Sequence, residues 1–311
     1  MSDATLARER YPLWLRAVDR AAALRRGPEL SEAALLRVAR RRSGLHELDL
    51  GPVRTPLQAL LADFAEHPLS ALGRVAVFEA LTHALENRLR WTAFLAAHPE
   101  VRARPLPRPL VVVGLHRSGT TFLHGLLAQG PGRRAPAFWE LLRPVPGPGR
   151  RAAARRALWL SRRVAPELQA IHPVRLDGPE ECWTLLANSL RVVSYALHFA
   201  LPRYARWLDE ADARPAYAEL ALQLRVIEHA RPEQPLVLKC PEHLWQLEAL
   251  LEAFPDAGVV WTHRDPQRCV PSYASLSAVN LRTLAGRVER RAVGPRITAG
   301  LAAGLERALA A

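Results

Sequence analysis

The stretch "PLVVVGLHRSGTTFLHGLL", residues 109–127, constrains this chain more than any other. An apolar, β-branched run ends at Gly114, a small polar turn follows, and an apolar helical pattern starts at Thr120. A run that is apolar on both faces is the pattern of a buried parallel strand. A glycine turn leading into a helix aims backbone N–H groups at one point, where the helix dipole also favours negative charge. The spacing of Gly114 and Gly119 is that of a Walker A loop. Thr120 stands where that loop has its lysine, however, and Arg117 places a cation inside the turn. The planar fork of arginine matches phosphate or sulfonate oxygens, and the hydroxyls of Thr120 and Thr121 add donors. The stretch therefore predicts an anion cradle that lacks the lysine reaching the β- and γ-phosphates of ATP.

Two more apolar runs have the same form. "PLVLKC" (235–240) and "AGVVWTHR" (257–264) are each followed by a polar turn and a helical pattern, "EHLWQLEALLEAF" and "QRCVPSYASL". Strand, turn and helix repeated three times predict α/β units on a parallel sheet. Ligands of such sheets bind at the carboxyl ends of the strands, where all three turns fall. The expected architecture is a three-layer, P-loop-like α/β fold, a parallel sheet flanked by helices, over residues 101–311. A mostly helical insertion is expected at about 135–232. Residues 1–100 read as a helical layer on the core. "SEAALLRVARRR" opens on Ser31 as an N-cap, "TPLQALLADFAEH" on Thr55 with Pro56 at the first helical position, and "SALGRVAVFEALTHALENRLRWTAFLAAH" is one long helix.

Composition narrows the partners. The 311 residues carry a formal charge of +13 and are 49% hydrophobic, enough for a large globular core. No apolar run approaches the ~18 residues of a membrane span. The opening "MSDATLARERYPLWLRAVDR" has no apolar signal core, so the cytoplasm is the expected compartment. Cys182, Cys240 and Cys269 are far apart, which predicts neither a disulfide framework nor a zinc site, and no metal is expected. Of the 43 basic residues, Lys239 is the one lysine, so generic surface cations in this chain are arginines and Lys239 stands out. The same habit bears on "RRAAARRALWLSRR": it reads as a solvated face in an arginine-rich style, with an anion- or membrane-binding helix as the alternative. A nucleic-acid partner is not expected, and peripheral membrane contact stays open.

The third turn, "THRDPQRCVPSYASL", sets Arg264 at a strand end and Ser272 eight residues later, about two turns into the next helix. Both can face one ligand, although Arg264 alone could simply pair with Asp265. Taken with "GLHRSGTTFLHGLL", this motif resembles the sulfotransferase family, specifically its bacterial branch. "FWELLRP", "IHPVRLDGPEEC" and "LVLKCPEHL" also look typical of that branch. The resemblance covers roughly residues 109–280. It implies transfer of a sulfuryl group from 3′-phosphoadenosine 5′-phosphosulfate (PAPS) to a hydroxyl or amine of a small-molecule, lipid or glycan acceptor. Arg117, Ser118, Gly119, Thr120 and Thr121 would hold the 5′-phosphosulfate, and Arg264 and Ser272 the 3′-phosphate. Phosphosulfate can be bound without Mg²⁺, so the missing Walker lysine is no obstacle.

In-line sulfuryl transfer should spread charge onto the sulfonate and leaving oxygens, as loose phosphoryl transfer does. Fixed cations stabilise that charge, and Arg117 and Lys239 are the candidates. A base must take the acceptor's proton. Cytosolic family members carry a histidine two residues after the strand lysine, but here that position is Pro241. Glu140, His243 and His172 are the base candidates, with Glu180 and Glu181 behind them or pairing with loop arginines. Glu140 could equally be an arginine partner, His243 a helix-start residue and His172 a buried core residue. Family members usually close the cofactor site with a further basic segment. This chain ends 39 residues after Ser272, and only "GRVERRAVGPR" could serve, which reads as a truncated or shortened relative. Two other readings remain: a P-loop nucleotide kinase or hydrolase, opposed by the missing lysine and the lack of a Mg²⁺-binding strand aspartate, and a non-catalytic nucleotide-binding remnant.

Overall fold

A computed structural model of the protein describes residues 8–229, 231 and 233–311. A short strand, β1 (Arg8–Arg10), is followed by four helices: α1 (Leu13–Ala23), α2 (Glu32–Ser43), α3 (Gly51–Glu66) and α4 (Ala71–Ala97). Ser31 caps α2, its hydroxyl accepting the Ala34 N–H at 3.2 Å, and Ser70 caps α4 from Gly73 at 2.9 Å. The expected start of α3 at Thr55 is corrected. Asp49 takes the Gly51 N–H at 2.8 Å, and the Leu50 carbonyl already accepts from Val53 and Arg54. The first turn is thus closed before Thr55, and Pro56 lies inside the helix.

The central sheet is parallel, with β2 (Leu110–Gly114) between β3 (Val237–Lys239) and β4 (Gly258–Thr262). Lys239 pairs in register with Val112, and Thr262 with Gly114, so the three carboxyl ends lie side by side. From β2 the chain enters α5 (Thr120–Leu127) and then α6 (Phe138–Leu142), α7 (Arg150–Val164), α8 (Pro166–Ile171), α9 (Trp183–Leu186), α10 (Val193–Phe199), α11 (Pro202–Glu210) and α12 (Arg214–Glu228) before β3. A 3₁₀ segment, Pro241–Gln246, and α13 (Leu247–Ala253) lead to β4. Then come α14 (Pro266–Ala285), β5 (Arg287–Glu289) and α15 (Arg290–Ala310). The "GRVERRAVGPR" segment therefore forms β5, which pairs antiparallel with β1, and the first turns of α15.

Two apolar clusters organise the packing. Val111, Val113, Leu238, Leu224, Tyr273 and Ile297 join the sheet to α12, α14 and α15. Leu57, Leu60, Leu85 and Leu89 of α3 and α4 pack with Leu190, Tyr204 and Leu284 from the later chain. Polar contacts add direction to that second contact. Arg88 of α4 pairs with Glu219 of α12 at 2.6 Å, and Asn87 donates to Asn188, which donates to Gln223. Buried amides that satisfy one another fix the relative register of α4 and α12, because any slip would leave a polar group unpaired.

Candidate active site

The turn after β2 is held in a conformation that few residues tolerate. Gly114 has φ 151°, Arg117 φ 73° and Gly119 φ 98°. A Cβ on Gly114 would lie 2.2 Å from Thr262 Oγ1 and 2.8 Å from Ser118 Oγ, so only glycine fits there. Arg117 is a left-handed non-glycine residue, a strained state of the kind found where a loop must aim its groups. Ser118 bonds Thr262 Oγ1 at 2.7 Å and the Leu115 carbonyl at 2.6 Å, which ties the turn to the end of β4. The first N–H groups of α5 then have no intrahelical acceptor and point into the turn.

Three predicted anion-binding residues meet beside this turn. Arg117 Nε donates to Ser272 Oγ of α14 at 3.1 Å, and one of its terminal nitrogens donates to the Ile171 carbonyl at 2.8 Å. Arg264 donates to the Arg117 carbonyl at 3.0 Å. Asp265 does not pair with Arg264; it caps α14 by accepting the Gln267 N–H at 2.9 Å. Thr120 is buried, while Thr121 is open to solvent.

Lys239 ends β3 with only 1% of its side chain exposed. It donates to Thr121 Oγ1 at 3.1 Å and forms an ion pair with Glu181. The pairing of Glu181 with a loop arginine is thus corrected: its partner is Lys239, and Glu180 bonds His172 at 3.2 Å. Burial works against the Glu181 charge, yet Lys239 and His172 together bring its carboxyl down to about 2. Burial also opposes charge on His172, but the bond to Glu180 and the nearby Glu181 prevail and raise that imidazole above its usual value. His172, Glu180 and Glu181 offer ligand atoms within 4.8 Å of one another. Of this trio, Glu181 holds the Lys239 ammonium.

The other two base candidates sit elsewhere. Glu140 is buried, and its carboxylate accepts from Arg134 at 2.9 Å, Arg231 at 2.6 Å and the Ala137 N–H at 2.8 Å. Burial is outweighed by those donors, which hold its pKa below the usual range. His243 is fully buried, with Nδ1 2.8 Å from the Tyr217 hydroxyl, and burial pushes its pKa down to about 3. The structure joins Arg117, Ser118, Gly119, Thr121, Lys239, Arg264, Ser272 and His172 around one turn. It places Glu140 in an arginine network and His243 in the core.

Two features escaped the sequence reading. Phe122, on α5, is 79% exposed, an aromatic face beside the glycine turn and free to stack on a planar ring. Its sequence signal was an aromatic directly after the paired threonines. His116 stacks on Tyr273 with ring centroids 4.0 Å apart and lies 5.8 Å from Trp245. Trp245 in turn lines an apolar cavity of about 500 Å³ walled by α10, α11 and α15.

Known proteins share this fold. The profile described as "Sulfotransferase family" matches residues 109–311. Two curated mycobacterial proteins, the omega-hydroxy-beta-dihydromenaquinone-9 sulfotransferases Stf3 of Mycobacterium bovis and Mycobacterium tuberculosis, are 26% identical over 180 residues. That match takes in 53% of this chain and 44% of each relative, so the chain spans less than half the length of the curated relatives it matches. The crystal structure of sulfotransferase STF1 from Mycobacterium tuberculosis superposes with a TM-score of 0.78 at 30% identity, covering 92% of this chain and 81% of that one. Sulfotransferase STF9 from Mycobacterium avium gives 0.77 at 29%, covering 91% and 75%. With the glycine turn, the parallel sheet and the matched profile in agreement, the chain belongs to the sulfotransferase family.

Proposed function

We propose that the protein transfers a sulfuryl group from PAPS to a hydroxyl on an apolar, lipid-like acceptor. The observation that carries this reading is the meeting of Arg117, Arg264 and Ser272 beside the phosphate loop. Two guanidinium groups and a hydroxyl at that spot fit a phosphate distinct from the one the loop would cradle, as a 3′,5′-bisphosphorylated nucleotide requires. Phe122 offers a stacking face for adenine. PAPS, when bound, supplies the transferable sulfuryl group. Ser118, Gly119, Thr120 and Thr121 would bind its 5′ end, and Lys239, beside Thr121, would neutralise charge developing on the migrating oxygens. Because side chains provide these cations, the reading needs no metal, and turnover should survive a chelator.

His172 is the base in this reading. It sits among Glu180, Glu181 and Lys239, it is partly exposed, and Glu180 orients its ring. Glu140 and His243 hold the scaffold. The apolar acceptor rests on the cavity beside Trp245 and on the printed substrate of the Stf3 relatives, a hydroxylated menaquinone derivative. Among the described residues no helix is long and apolar enough to cross a membrane. The three buried, free cysteines fit a reducing cytoplasm.

Calorimetry with 3′,5′-diphosphoadenosine and 5′-AMP tests the reading. A charge-assisted bond to phosphate contributes about 1.5–3 kcal/mol. The wild type should therefore bind the bisphosphate at least tens of times more tightly. Arg264→Ala should remove most of that ratio and leave 5′-AMP binding nearly unchanged. Equal wild-type affinity for both nucleotides sinks the assignment. Mg²⁺-dependent ATP turnover would favour a kinase instead, and nucleotide binding without transfer to any acceptor a non-catalytic remnant.

A further inference from the structure

The face of α7 combines arginines with exposed apolar side chains. Its sequence, "RRAAARRALWLSRRV", contains no acidic residue. Ala154 and Leu158 are buried and seat the helix on the protein. On the opposite side Trp159 is 59% exposed and Leu160 56% exposed. At 3.6 residues per turn, Arg155, Arg156, Arg162 and Arg163 lie four and three residues before and three and four after Trp159, so they ring it on one face. The Arg163 guanidinium covers the Trp159 ring at 5.0 Å. Some exposed arginines elsewhere in this chain are held by carboxylates, as Arg42 is by Glu79, Arg203 by Glu66 and Arg307 by Asp209. Among the described residues, the four around Trp159 have no carboxylate partner.

We propose that this face of α7 docks on an anionic lipid surface. Arginines at a helix surface are attracted to anionic headgroups, and their aliphatic stems lie along apolar material while the charge stays in water. A tryptophan at the centre of such a ring suits the headgroup level of a bilayer. A nucleic-acid duplex would use the arginines, but its bases are already stacked and offer no face to the tryptophan and leucine in their midst. A protein groove would need a continuous apolar stripe, which the four arginines interrupt. Position adds to the argument. α7 runs into α8, six residues or about 9 Å long, whose last residue, Ile171, accepts the hydrogen bond from Arg117. A bilayer seated on α7 therefore lies one short helix from the phosphate loop, where a lipid hydroxyl could be presented to the site. Only this last consequence rests on the proposed reaction; the docking itself does not.

Vesicle co-sedimentation tests it. Wild-type protein is mixed with vesicles of phosphatidylcholine alone and of phosphatidylcholine with one part in three phosphatidylglycerol. It should sediment with the anionic vesicles and be released by salt. Each arginine at such a surface is worth about a fivefold gain in partitioning, so Arg155→Glu with Arg156→Glu should weaken binding by more than about 25-fold. Trp159→Ala with Leu160→Ala should weaken it severalfold at unchanged charge. Both variants should keep wild-type affinity for 3′,5′-diphosphoadenosine, which reports folding and the nucleotide site separately from lipid binding. Wild-type protein that stays in the supernatant with anionic vesicles overturns the proposal. So does binding that the tryptophan–leucine variant retains in full, especially if duplex DNA competes for it, since the patch would then be a generic polyanion surface.

Discussion

At Lys239 a buried ion pair and the role proposed above fall on one residue. It is almost completely buried, and its ammonium is balanced by Glu181. Lys239→Ala leaves that carboxylate buried without its partner, which should cost about 3–5 kcal/mol. Loss of activity in that variant alone would therefore say little. Lys239→Met combined with Glu181→Gln removes both charges, and urea melts should show most of the stability restored. Turnover, measured with labelled PAPS, should stay at least about 10²-fold down if the ammonium faces the migrating sulfonate. Recovery of turnover with stability would remove Lys239 from the mechanism. The base has its own test. His172→Ala should cut transfer to an alcohol by about 10²-fold or more with nucleotide affinity intact. Glu140→Gln should act chiefly on stability, since it weakens an anion held by Arg134 and Arg231. A Glu140→Gln variant that folds as well as wild type but cannot transfer would restore Glu140 as the base.

At the scale of elements, what the sequence revealed was local and what it hid was distant. A strand, a glycine turn and a helix are written in consecutive residues, so β2, β3 and β4 and the loop before α5 could be read directly. Ser31 and Ser70 sit next to the helices they cap. Thr55 misled because Asp49, further upstream, captures Gly51 first. The partners of Glu181 and Arg117 lie 58 and 155 residues away along the chain, a separation at which no spacing rule operates. The pairing of β1 with β5 is hidden for the same reason. The contact of α4 with α14 is equally non-local and can be tested. A Cβ on Gly73 of α4 would lie 1.8 Å from the Leu284 carbonyl oxygen, a backbone atom at the end of α14. Alanine would gain up to about 1 kcal/mol in helix propensity. The clash should override that gain, because overpacking costs about 1–3 kcal/mol and a backbone carbonyl cannot rotate away as a side chain can. Gly73→Ala should lower the melting temperature; a rise would mean that α4 slides on α14 without cost.

The whole molecule carries an acid sensitivity that follows from its buried histidines. Burial pushes His116, His198 and His243 down to about 3, and burial with nearby Lys239 takes His124 down to about 4. An unfolded chain protonates all four near pH 6.5, whereas the folded chain does not until far lower. Below pH 6.5 the unfolded state therefore binds more protons, and stability falls as pH falls. Below pH 6.5 Glu242 works the other way. Burial raises Glu242 to about 7, against hydrogen bonds from Ser194 and Val193, so between about pH 7 and its unfolded value near 4.5 the folded state holds the extra proton. These four rings against Glu242, with His67 and His83 also held below their usual value by burial, leave a net uptake of at least about three protons on unfolding. At about 1.4 kcal/mol per proton and pH unit, the slope approaches 4 kcal/mol per unit below pH 6. A domain with the usual 5–15 kcal/mol of stability would then unfold within a few units of neutrality. Urea melts between pH 7.5 and 5 should show the midpoint falling steadily. His198→Gln should shallow that slope by about one proton, whatever it does to stability at pH 7.5. A midpoint that does not move over this range would mean that the four rings are already solvated, and that the packing of His116 against Tyr273 and Trp245 does not persist in solution.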